Sequence, residues 1–354
     1  MNKLVSKSLP LRKATVLKVK SKSNTDSIKK TPKVSIFNPM DSPITNTVVK
    51  PVSCLPRISL DGCNLTLPIP EFKTKVMNSR LDELKAKEQS HGGIAKNKQY
   101  KANCFRRNSQ YKSYVVIEIK TTKMDTLVYI GYRPIGKQNA LWIRFNPAHF
   151  TQYGYKVLKK KLAKILGMKL LLKSFAKAIP TRLDVAVDIT GITPDYLLAD
   201  MREARDSAIH LKGGRVSSIS MGTNRSTTAA IVYRKDTNDN PGTRIEIRLR
   251  RMNTTNKPVT LNTLADCLPP NPFKRLDIYK VDETKTFSSP IKLVLAAARA
   301  FGLKGALQIL DGQDRRVIRK QLAHTKVDYF NANLVWDKVQ ELLEPMSVLF
   351  TADN

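Results

Sequence analysis

The chain has 354 residues, with 62 Lys and Arg against 29 Asp and Glu, and so a formal net charge of +33. A charge of this size predicts a polyanionic partner such as DNA, RNA or an anionic membrane surface. The sequence contains no run of about 18 apolar residues and no apolar signal-peptide segment. This argues against a spanning helix and a secretory signal, so we expect a cytoplasmic chain without a membrane partner.

The few residues that bind transition metals are scattered. The four cysteines have no Cys-x-x-Cys spacing, and the four histidines form no His-x-His or His-x-x-x-His pair. We therefore expect free thiols in a reducing compartment, without a disulfide framework or a zinc site. A metal site in this chain is predicted to consist of carboxylates.

Composition divides the chain into three parts. Residues 1–57 carry Lys or Arg at twelve positions and acids only at Asp26 and Asp41. We predict a disordered basic tail, either an electrostatic tether to DNA or a dispensable extension, because so few apolar residues cannot offset the entropy of ordering. Residues 58–265 hold the strand patterns and are predicted to form the main domain. Residues 266–354 are predicted to form a helical C-terminal subdomain.

Strand patterns dominate the first half of the main domain. Alternating polarity predicts a strand over 58–67, and a short helix is expected around 79–87. Runs of β-branched and aromatic residues predict three more strands, with a turn at Gly136 before the last: 113–121, 126–132 and 140–146. Apolar residues at helical spacing then predict a helix over 155–178, with Gly167 as a candidate break.

The second half continues this mixed pattern. A strand, a helix capped by Thr193, a hairpin and a long strand are predicted in that order: 181–190, 194–210, 217–221 with 229–234, and 243–251. Three C-terminal helices are expected: 290–301, 315–322 and 331–343. The predicted fold class is α+β, an antiparallel-leaning central sheet with covering helices, followed by the helical subdomain.

Two of the predicted strands place acids and cations on one face. Successive side chains of a strand point to opposite faces, so Arg182, Asp184 and Asp188 share a face, with the two carboxylates about 13 Å apart. In the later strand the polar face holds another charged set: Arg244, Glu246, Arg248 and Arg250.

If these two strands are neighbours, Glu246 meets Asp184 or Asp188 on the charged face. Two or three carboxylates at one point are the oxygen ligands that Mg²⁺ or Mn²⁺ prefers, so these residues are the predicted metal ligands. The alternative is an ordinary solvated face on which arginines and acids pair across strands.

A tyrosine ends the apolar strand in the segment Ala229–Asp236, and two cations follow it. The hydroxyl of Tyr233 is a candidate nucleophile toward phosphorus, with Arg234 and Lys235 placed to stabilise charge on a phosphorane. The alternative is a tyrosine that packs its ring and leaves its hydroxyl in water.

Four stretches of the chain, in order, carry a family resemblance. RISLDGCNLTLPIP has an early acid, Asp61, in a first strand. ALWIRFNPAHF matches the family's Asn/Ser-Pro-Ala-Lys stretch, except that His149 replaces the usual Lys. IPTRLDVAVDIT contains an Arg-(Ile/Leu)-Asp strand, and AAIVYRKD with TRIEIRLRR contains Tyr-x-Lys and Arg-x-Glu-x-Arg. Together these stretches, over 58–251, resemble the replication initiators of filamentous phages (the gene II protein type) and related rolling-circle initiators.

The resemblance implies an enzyme that handles DNA. The nicking domain, 58–265, would cut one strand of double-stranded origin DNA site-specifically, start rolling-circle replication and later rejoin the displaced single strand. Tyr233 would become linked to the 5′ phosphate, freeing a 3′ hydroxyl for the host replication machinery. A phage-encoded chain would act in the host cytoplasm.

The resemblance also implies roles for the charged side chains. Asp184, Asp188 and Glu246 would hold Mg²⁺ or Mn²⁺. The residues that would contact the scissile phosphate are Lys235, Arg182 and Arg248. Cations of the long strand and of a C-terminal helix are the predicted DNA contacts: Arg244, Arg248, Arg250, Arg315, Arg316 and Arg319. The helix cations are equally consistent with a solvated face.

Two features depart from the family pattern. Related plasmid initiators carry the nucleophile in Tyr-x-Gly one strand earlier, where this chain has Ser220 before Gly222, and the histidine pair of other rolling-circle enzymes is missing. Three functions therefore stay open. They are a metal-dependent nicking and closing enzyme, a non-catalytic origin-binding protein or repressor on the same scaffold, and a basic RNA-binding or packaging protein.

Overall fold

The computed structural model describes eleven stretches of the chain: 56–69, 74–90, 113–120, 126–135, 138–223, 225–236, 241–250, 252–254, 257–281, 289–327 and 329–352. They all belong to one unit, Val49–Asn354. The predicted basic tail, 1–57, lies outside the described residues except for its last two, and the predicted turn at Gly136 lies outside them too.

An antiparallel sheet of nine strands organises the described residues. Its strands, in chain order, are β1 (Arg57–Ile69), β2 (Ser113–Ile119), β3 (Thr126–Ile135), β4 (Gln138–Phe145), β5 (Ile179–Thr190), β7 (Ser207–Lys212), β8 (Arg215–Met221), β9 (Thr228–Arg234) and β10 (Gly242–Arg250). The spatial order is β2-β3-β4-β1-β5-β10-β9-β8-β7, and each neighbouring pair is antiparallel. Two small pairs stand apart: β6 (Leu197–Met201) with β13 (Leu276–Lys280), and β11 (Asn253–Thr254) with β12 (Lys257–Pro258).

Helices complete the α+β class that the sequence predicts. The described α-helices are α1 (Thr74–Ser90), α2 (Gln152–Leu166), α3 (Met168–Ala176), α4 (Ser289–Gln308), α5 (Gly312–Ala323) and α6 (Ala332–Leu343). Short 3₁₀ helices occupy Pro147–His149, Pro194–Tyr196, Leu261–Thr263, Pro272–Arg275 and Glu344–Leu349. Within the described part of the chain, no helix combines the length and apolarity needed to cross a bilayer.

The predicted helix over 155–178 is interrupted where the sequence indicates. Thr151 caps the start of α2, its hydroxyl accepting from the Gly154 amide, and α2 ends at Gly167. Gly167 has φ +78°, a backbone conformation that glycine adopts without steric cost, and α3 begins immediately after it. The break at Gly167 is therefore confirmed.

One face of the sheet carries the main core. Leu183, Val185 and Val187 of β5 are fully buried and pack in one cluster with apolar residues of the helices, such as Leu162 and Val339. Burial of each such side chain is worth about 1.5–3 kcal/mol, so this contact fixes which face of each strand turns inward. The alternate residues of the same strands point to the opposite face.

The last third of the chain divides between two cores. Val335 and Val339 of α6 lie in the main cluster. Ala298 of α4 and Ile318 of α5 lie in a second cluster, together with Leu198 of β6. Both parts are therefore built by long-range contacts with the sheet region, as well as by contacts within 266–354.

The helix predicted over 194–210 is wrong. Pro194–Tyr196 forms a single 3₁₀ turn, after which the chain enters β6 and then β7. β6 pairs along its whole length with β13, and four of its five residues are buried. This distant pairing overrides the local helical pattern, because backbone hydrogen bonds to β13 satisfy groups that a helix would have satisfied locally.

Candidate active site

Strand order brings three distant segments of the chain together. β5 pairs with β10, and β10 pairs with β9, so the two acid-bearing strands are neighbours and the tyrosine-bearing strand comes next. Asp184 lies opposite Arg248, Asp188 lies opposite Arg244, and Glu246 lies opposite Ala186 between them. Residues directly opposite in an antiparallel pair share a face, so all of these residues lie on the face away from the main core.

The first charge cluster centres on Asp184, which is only 2% exposed. The Nε of Arg182 donates to both carboxylate oxygens of Asp184, at 2.8 Å each. Arg248 bridges two acids, with its Nε 3.3 Å from Asp184 Oδ1 and its Nη2 2.8 Å from Glu246 Oε1. Two guanidinium groups therefore neutralise two largely buried carboxylates.

The second cluster centres on Arg244, which is also buried. Its Nε and Nη2 donate to the two oxygens of Asp188 at 2.5 and 2.6 Å, and its Nη1 lies 2.8 Å from Asp61 Oδ1. Lys235 Nζ lies 3.3 Å from the same Asp188 carboxylate. Burial alone would lower the pKa of Arg244, but Asp188 and Asp61 hold that pKa above its ordinary value. Arg244, predicted as a DNA contact, is thus occupied by two acids.

Asp61 reaches this cluster through a β-bulge. Leu60 pairs with Val185 and Gly62 pairs with Asp184, so Asp61 is the extra residue in β1. A bulge redirects a side chain and increases the local twist, and bulges recur beside functional sites. The amide of Asn146 donates to Asp61 Oδ1 at 3.2 Å. The residue roles predicted from the sequence did not include Asp61, although its place as an early acid in the first strand was the signal.

Gly62 makes room for the Asp184 carboxylate. A Cβ at Gly62 would lie 2.6 Å from Asp184 Oδ2, so Gly62→Ala must push the carboxylate away from Arg182. We expect a loss of about 1–3 kcal/mol in the free energy of unfolding, measured by urea titration. Gly312→Ala is the matched control, because a Cβ there meets nothing within 4 Å; equal effects of the two substitutions would contradict this role for Gly62.

Tyr233 lies beside these clusters, and its hydroxyl contacts the carboxylate of Glu246. It lies opposite Arg244 in the β10–β9 register, and its hydroxyl is 3.4 Å from Glu246 Oε2. Burial, and after it the charge of Glu246, raises the pKa of Tyr233 to about 12. The phenol is therefore protonated at neutral pH and needs a base if it is to act as a nucleophile.

Glu246 has the environment of such a base. Burial, and then the negative charge of Asp184, raises the pKa of Glu246 against the opposing effect of Arg248. A carboxylate with a raised pKa holds a proton more readily, which brings its strength closer to that of a general base at neutral pH. Tyr233 and Glu246 are thus a hydrogen-bonded acid and base pair.

The predicted metal ligands do not converge on one point. Asp188 is engaged by Arg244 and Lys235, while Asp184 and Glu246 share Arg248. Among the described residues, no group of three His, Cys, Asp or Glu side chains is spaced to hold a metal ion. The donor set in this arrangement does not fit Mg²⁺ or Mn²⁺, because the carboxylate oxygens already accept from cationic side chains.

Positive charge is in excess at one end of the site. Arg250 Nη1 lies 3.4 Å from the main-chain oxygens of Thr223 and Ser226, and no carboxylate of the described residues pairs with it. Burial, and then the nearby charges of Arg248 and Arg182, lowers the pKa of Arg250. Three arginines thus stand near two carboxylates, and this excess favours an anionic ligand such as a phosphate.

The row that contains Tyr233 continues to the edge of the sheet. Tyr233 lies opposite Ser218 of β8, and Ser218 lies opposite His210 of β7. His210 is exposed, and its Nε2 is 3.5 Å from the Ser220 hydroxyl. Sequence reasoning missed this polar extension because it placed His210 at the end of a helix.

The predicted cations of the C-terminal helix lie on α5. Arg315 donates to the main-chain oxygens of Leu307 and Leu310, at 2.8 and 2.9 Å, and so caps the end of α4. Arg316 and Arg319 are exposed. Arg315 therefore has a structural role, while its two neighbours face solvent.

No family model and no curated protein matches the chain. Among solved structures it is similar to DynU16, a protein of the dynemicin biosynthetic locus, at 10% identity over 53% of this chain and 86% of that one. The TM-score is 0.17, so this similarity carries no argument about fold or function. The conclusions about function therefore rest on the geometry of the site.

Proposed function

We propose that this protein is a rolling-circle replication initiator that nicks one DNA strand and later rejoins it, with Tyr233 as the nucleophile. The observation that carries the proposal is the contact of the Tyr233 hydroxyl with Glu246 Oε2, at 3.4 Å, beside a surplus of arginines. A tyrosine beside a base and next to phosphate-binding cations has the parts that attack on a phosphodiester requires.

In the proposed step the phenol oxygen of Tyr233 attacks phosphorus. The O–P bond forms as the bond from phosphorus to the 3′ oxygen breaks. Glu246 accepts the phenol proton and then delivers it to the departing 3′ oxygen, so the products are a 5′-phosphotyrosyl linkage and a free 3′ hydroxyl. Rejoining is the reverse, with a 3′ hydroxyl attacking the tyrosyl phosphate.

Guanidinium groups supply the charge stabilisation in this proposal. Arg182 and Arg248 are held in place by Asp184 and Glu246, and Arg250 has only carbonyl partners among the described residues. Donors that are oriented in advance stabilise developing charge without reorganising during the reaction. Lys235, fixed by Asp188, is a further cation two residues after Tyr233 in the chain.

Dependence on Mg²⁺ or Mn²⁺ stays a prediction from the sequence. A metal ion at Asp184 and Glu246 would have to replace Arg248 as their shared partner. Equilibrium dialysis with Mn²⁺, on the unmodified protein and on Glu246→Gln, tests this: a bound ion that is lost with the substitution supports the metal site, and no binding contradicts it.

The direct test of the enzyme is to trap the linkage. The protein is incubated with supercoiled origin DNA, the DNA is digested, and the peptides are mapped by mass spectrometry. We expect nicked circles and a nucleotide adduct on Tyr233. An adduct on another residue, or DNA binding with no nick and no adduct under any metal condition, would remove Tyr233 from this role.

The proposed role of Glu246 as the base predicts how the nicking rate depends on pH. Below its raised pKa, Glu246 is protonated and cannot accept the phenol proton, so the nicking rate should fall as pH falls through that value. Glu246→Gln should slow nicking by about 10²–10⁴-fold and remove this acidic limb. Single-turnover rates between pH 4 and 9 measure both. An unchanged acidic limb in the variant would assign the base to another group.

A second candidate is a non-catalytic origin-binding protein or repressor on the same scaffold. It is favoured by the close pairing of Asp184, Asp188 and Glu246 with cations, since a paired acid is an ordinary stabilising element of a sheet. Sequence-specific binding without an adduct would support it. Preference for RNA over both forms of DNA would instead support a basic RNA-binding or packaging protein.

A further inference from the structure

A polar cavity lies at the far end of β9 from Tyr233. Its volume is about 390 Å³, within the range of small-ligand sites. It is formed by the turn after β6 and the loop before β9, together with Arg275. The lining residues that the argument uses are Arg202, Glu203, Arg205, Thr223, Arg225 and Ser226.

The cavity is strongly cationic. Four arginines and two acids line it, which leaves two positive charges in excess. Arg275 pairs with Glu203 at 2.8 Å, and Arg202 contacts Asp277 at 3.4 Å. Arg205 and Arg225 are exposed, and neither side chain has an ion-pair partner among the described residues. Unlike Arg182, Arg244 and Arg248 of the candidate active site, these two have no acid partner among the described residues that an anion would have to displace.

Hydroxyl groups of the loop before β9 form part of the cavity wall. The Ser226 hydroxyl accepts from the Thr223 amide at 2.9 Å, and the Thr223 hydroxyl accepts from the Arg225 amide at 3.1 Å. These contacts join the described loop residues Thr223, Arg225 and Ser226, and the side chain of Arg225 is exposed beside them. Hydroxyl and guanidinium groups together are the usual protein partners of phosphate oxygens.

The turn after β6 contains an unusual backbone conformation. Glu203 has φ +69° and is, among the described residues, the one non-glycine with positive φ. A non-glycine residue in this region is strained and persists only where the surroundings enforce it. Here it makes the tight turn that places Arg202 and Arg205 on the same cavity.

We propose that this cavity binds a phosphate group, supplied either by a nucleic-acid strand or by a free nucleotide. Arg250, whose guanidinium contacts the Thr223 and Ser226 carbonyls, joins the cavity wall to the candidate active site. From Tyr233 to Thr228 along β9 is about 17 Å, so one bound strand can reach both places. The proposal needs only phosphate binding and does not rest on nicking by Tyr233.

The test is made in the Tyr233→Phe protein, which keeps binding separate from nicking. Arg205→Ala with Arg225→Ala is compared with Lys156→Ala with Lys160→Ala, two exposed lysines of α2. Binding of a labelled 20-nucleotide single strand is followed by anisotropy across salt concentrations. We expect the arginine pair to weaken binding by about tenfold or more, and to reduce the salt slope by about 0.7 for each phosphate that is no longer neutralised, while the lysine pair changes binding by less than about twofold.

Chemical protection locates the ligand and separates its two sources. Arginines of the full chain are modified with phenylglyoxal in the presence of the single strand, ATP or inorganic phosphate, and Arg205 and Arg225 are followed by mass spectrometry. Protection by the strand alone assigns a nucleic-acid phosphate, and protection by ATP or phosphate assigns a free nucleotide. If the arginine and lysine pairs lose strand affinity equally, the nucleic-acid source is excluded. If no probe protects either arginine, the proposal is overturned.

Discussion

Tyr233→Phe should abolish formation of the protein–DNA linkage and reduce nicking by roughly 10⁴-fold or more. The substitution removes only the hydroxyl, which is the proposed nucleophile and the donor to Glu246 Oε2. The ring and its strand pairing with Arg244 are unchanged, so stability should fall by no more than about 1 kcal/mol. Gel assays of supercoiled DNA, with denaturing electrophoresis for the adduct, measure the loss, and DNA affinity should stay within about twofold.

The control for this substitution is Tyr153→Phe. Tyr153 is 63% exposed on α2, a helix that packs in the main core behind the sheet. The control removes the same atom from a tyrosine that has no part in the proposed reaction, and nicking should be unchanged. If Tyr233→Phe retains nicking at the rate of the Tyr153→Phe protein, the tyrosine is not the nucleophile.

Asp184→Asn should destabilise the protein by about 3–5 kcal/mol. Asp184 is almost fully buried and is the shared partner of Arg182 and Arg248. The amide keeps the shape of the side chain but removes its charge, which leaves two guanidinium groups poorly compensated in a site largely shielded from water. Urea unfolding gives the change in free energy, and DNA binding of the folded fraction reports separately on the cationic surface.

Asp236→Asn is the matched control for that prediction. Asp236 pairs with Arg234 at 3.0 Å, but both side chains are well exposed. Exposed ion pairs contribute at most about 1 kcal/mol, because water and salt screen them. If Asp236→Asn lowers the free energy of unfolding as much as Asp184→Asn does, burial does not determine how much these acids contribute to stability.

Alternation of residues along the strands was enough to predict much of the sheet. Strict alternation in 181–190 and 243–251 defined an apolar and a charged face, and the structure places the charged faces of β5 and β10 side by side. It was not enough for 197–201, where nearly every residue is buried and the period of two disappears. The strand there depends on a distant partner, Leu276–Lys280, which no local pattern contains.

Sequence reasoning left the partners of the charged residues open between a metal ion and arginines, for a different reason. Whether Asp184 faces a metal ion or a guanidinium depends on cross-strand register, and register depends on pairing between segments far apart in the chain. The bulge at Asp61 is a further example, because one extra residue in β1 decides where that acid points. Spacing within a strand shows which side chains share a face, but not which of them touch.

The bridging position of Arg248 gives the proposed reaction a built-in trigger. When a DNA phosphate binds Arg248 in its place, it shares the guanidinium charge that most favours the ionised form of Glu246, and the affinity of Glu246 for protons rises. Bound DNA would thus make Glu246 a stronger base when the Tyr233 phenol must give up its proton. Without DNA, Arg248 keeps Glu246 a weaker base and Tyr233 stays protonated.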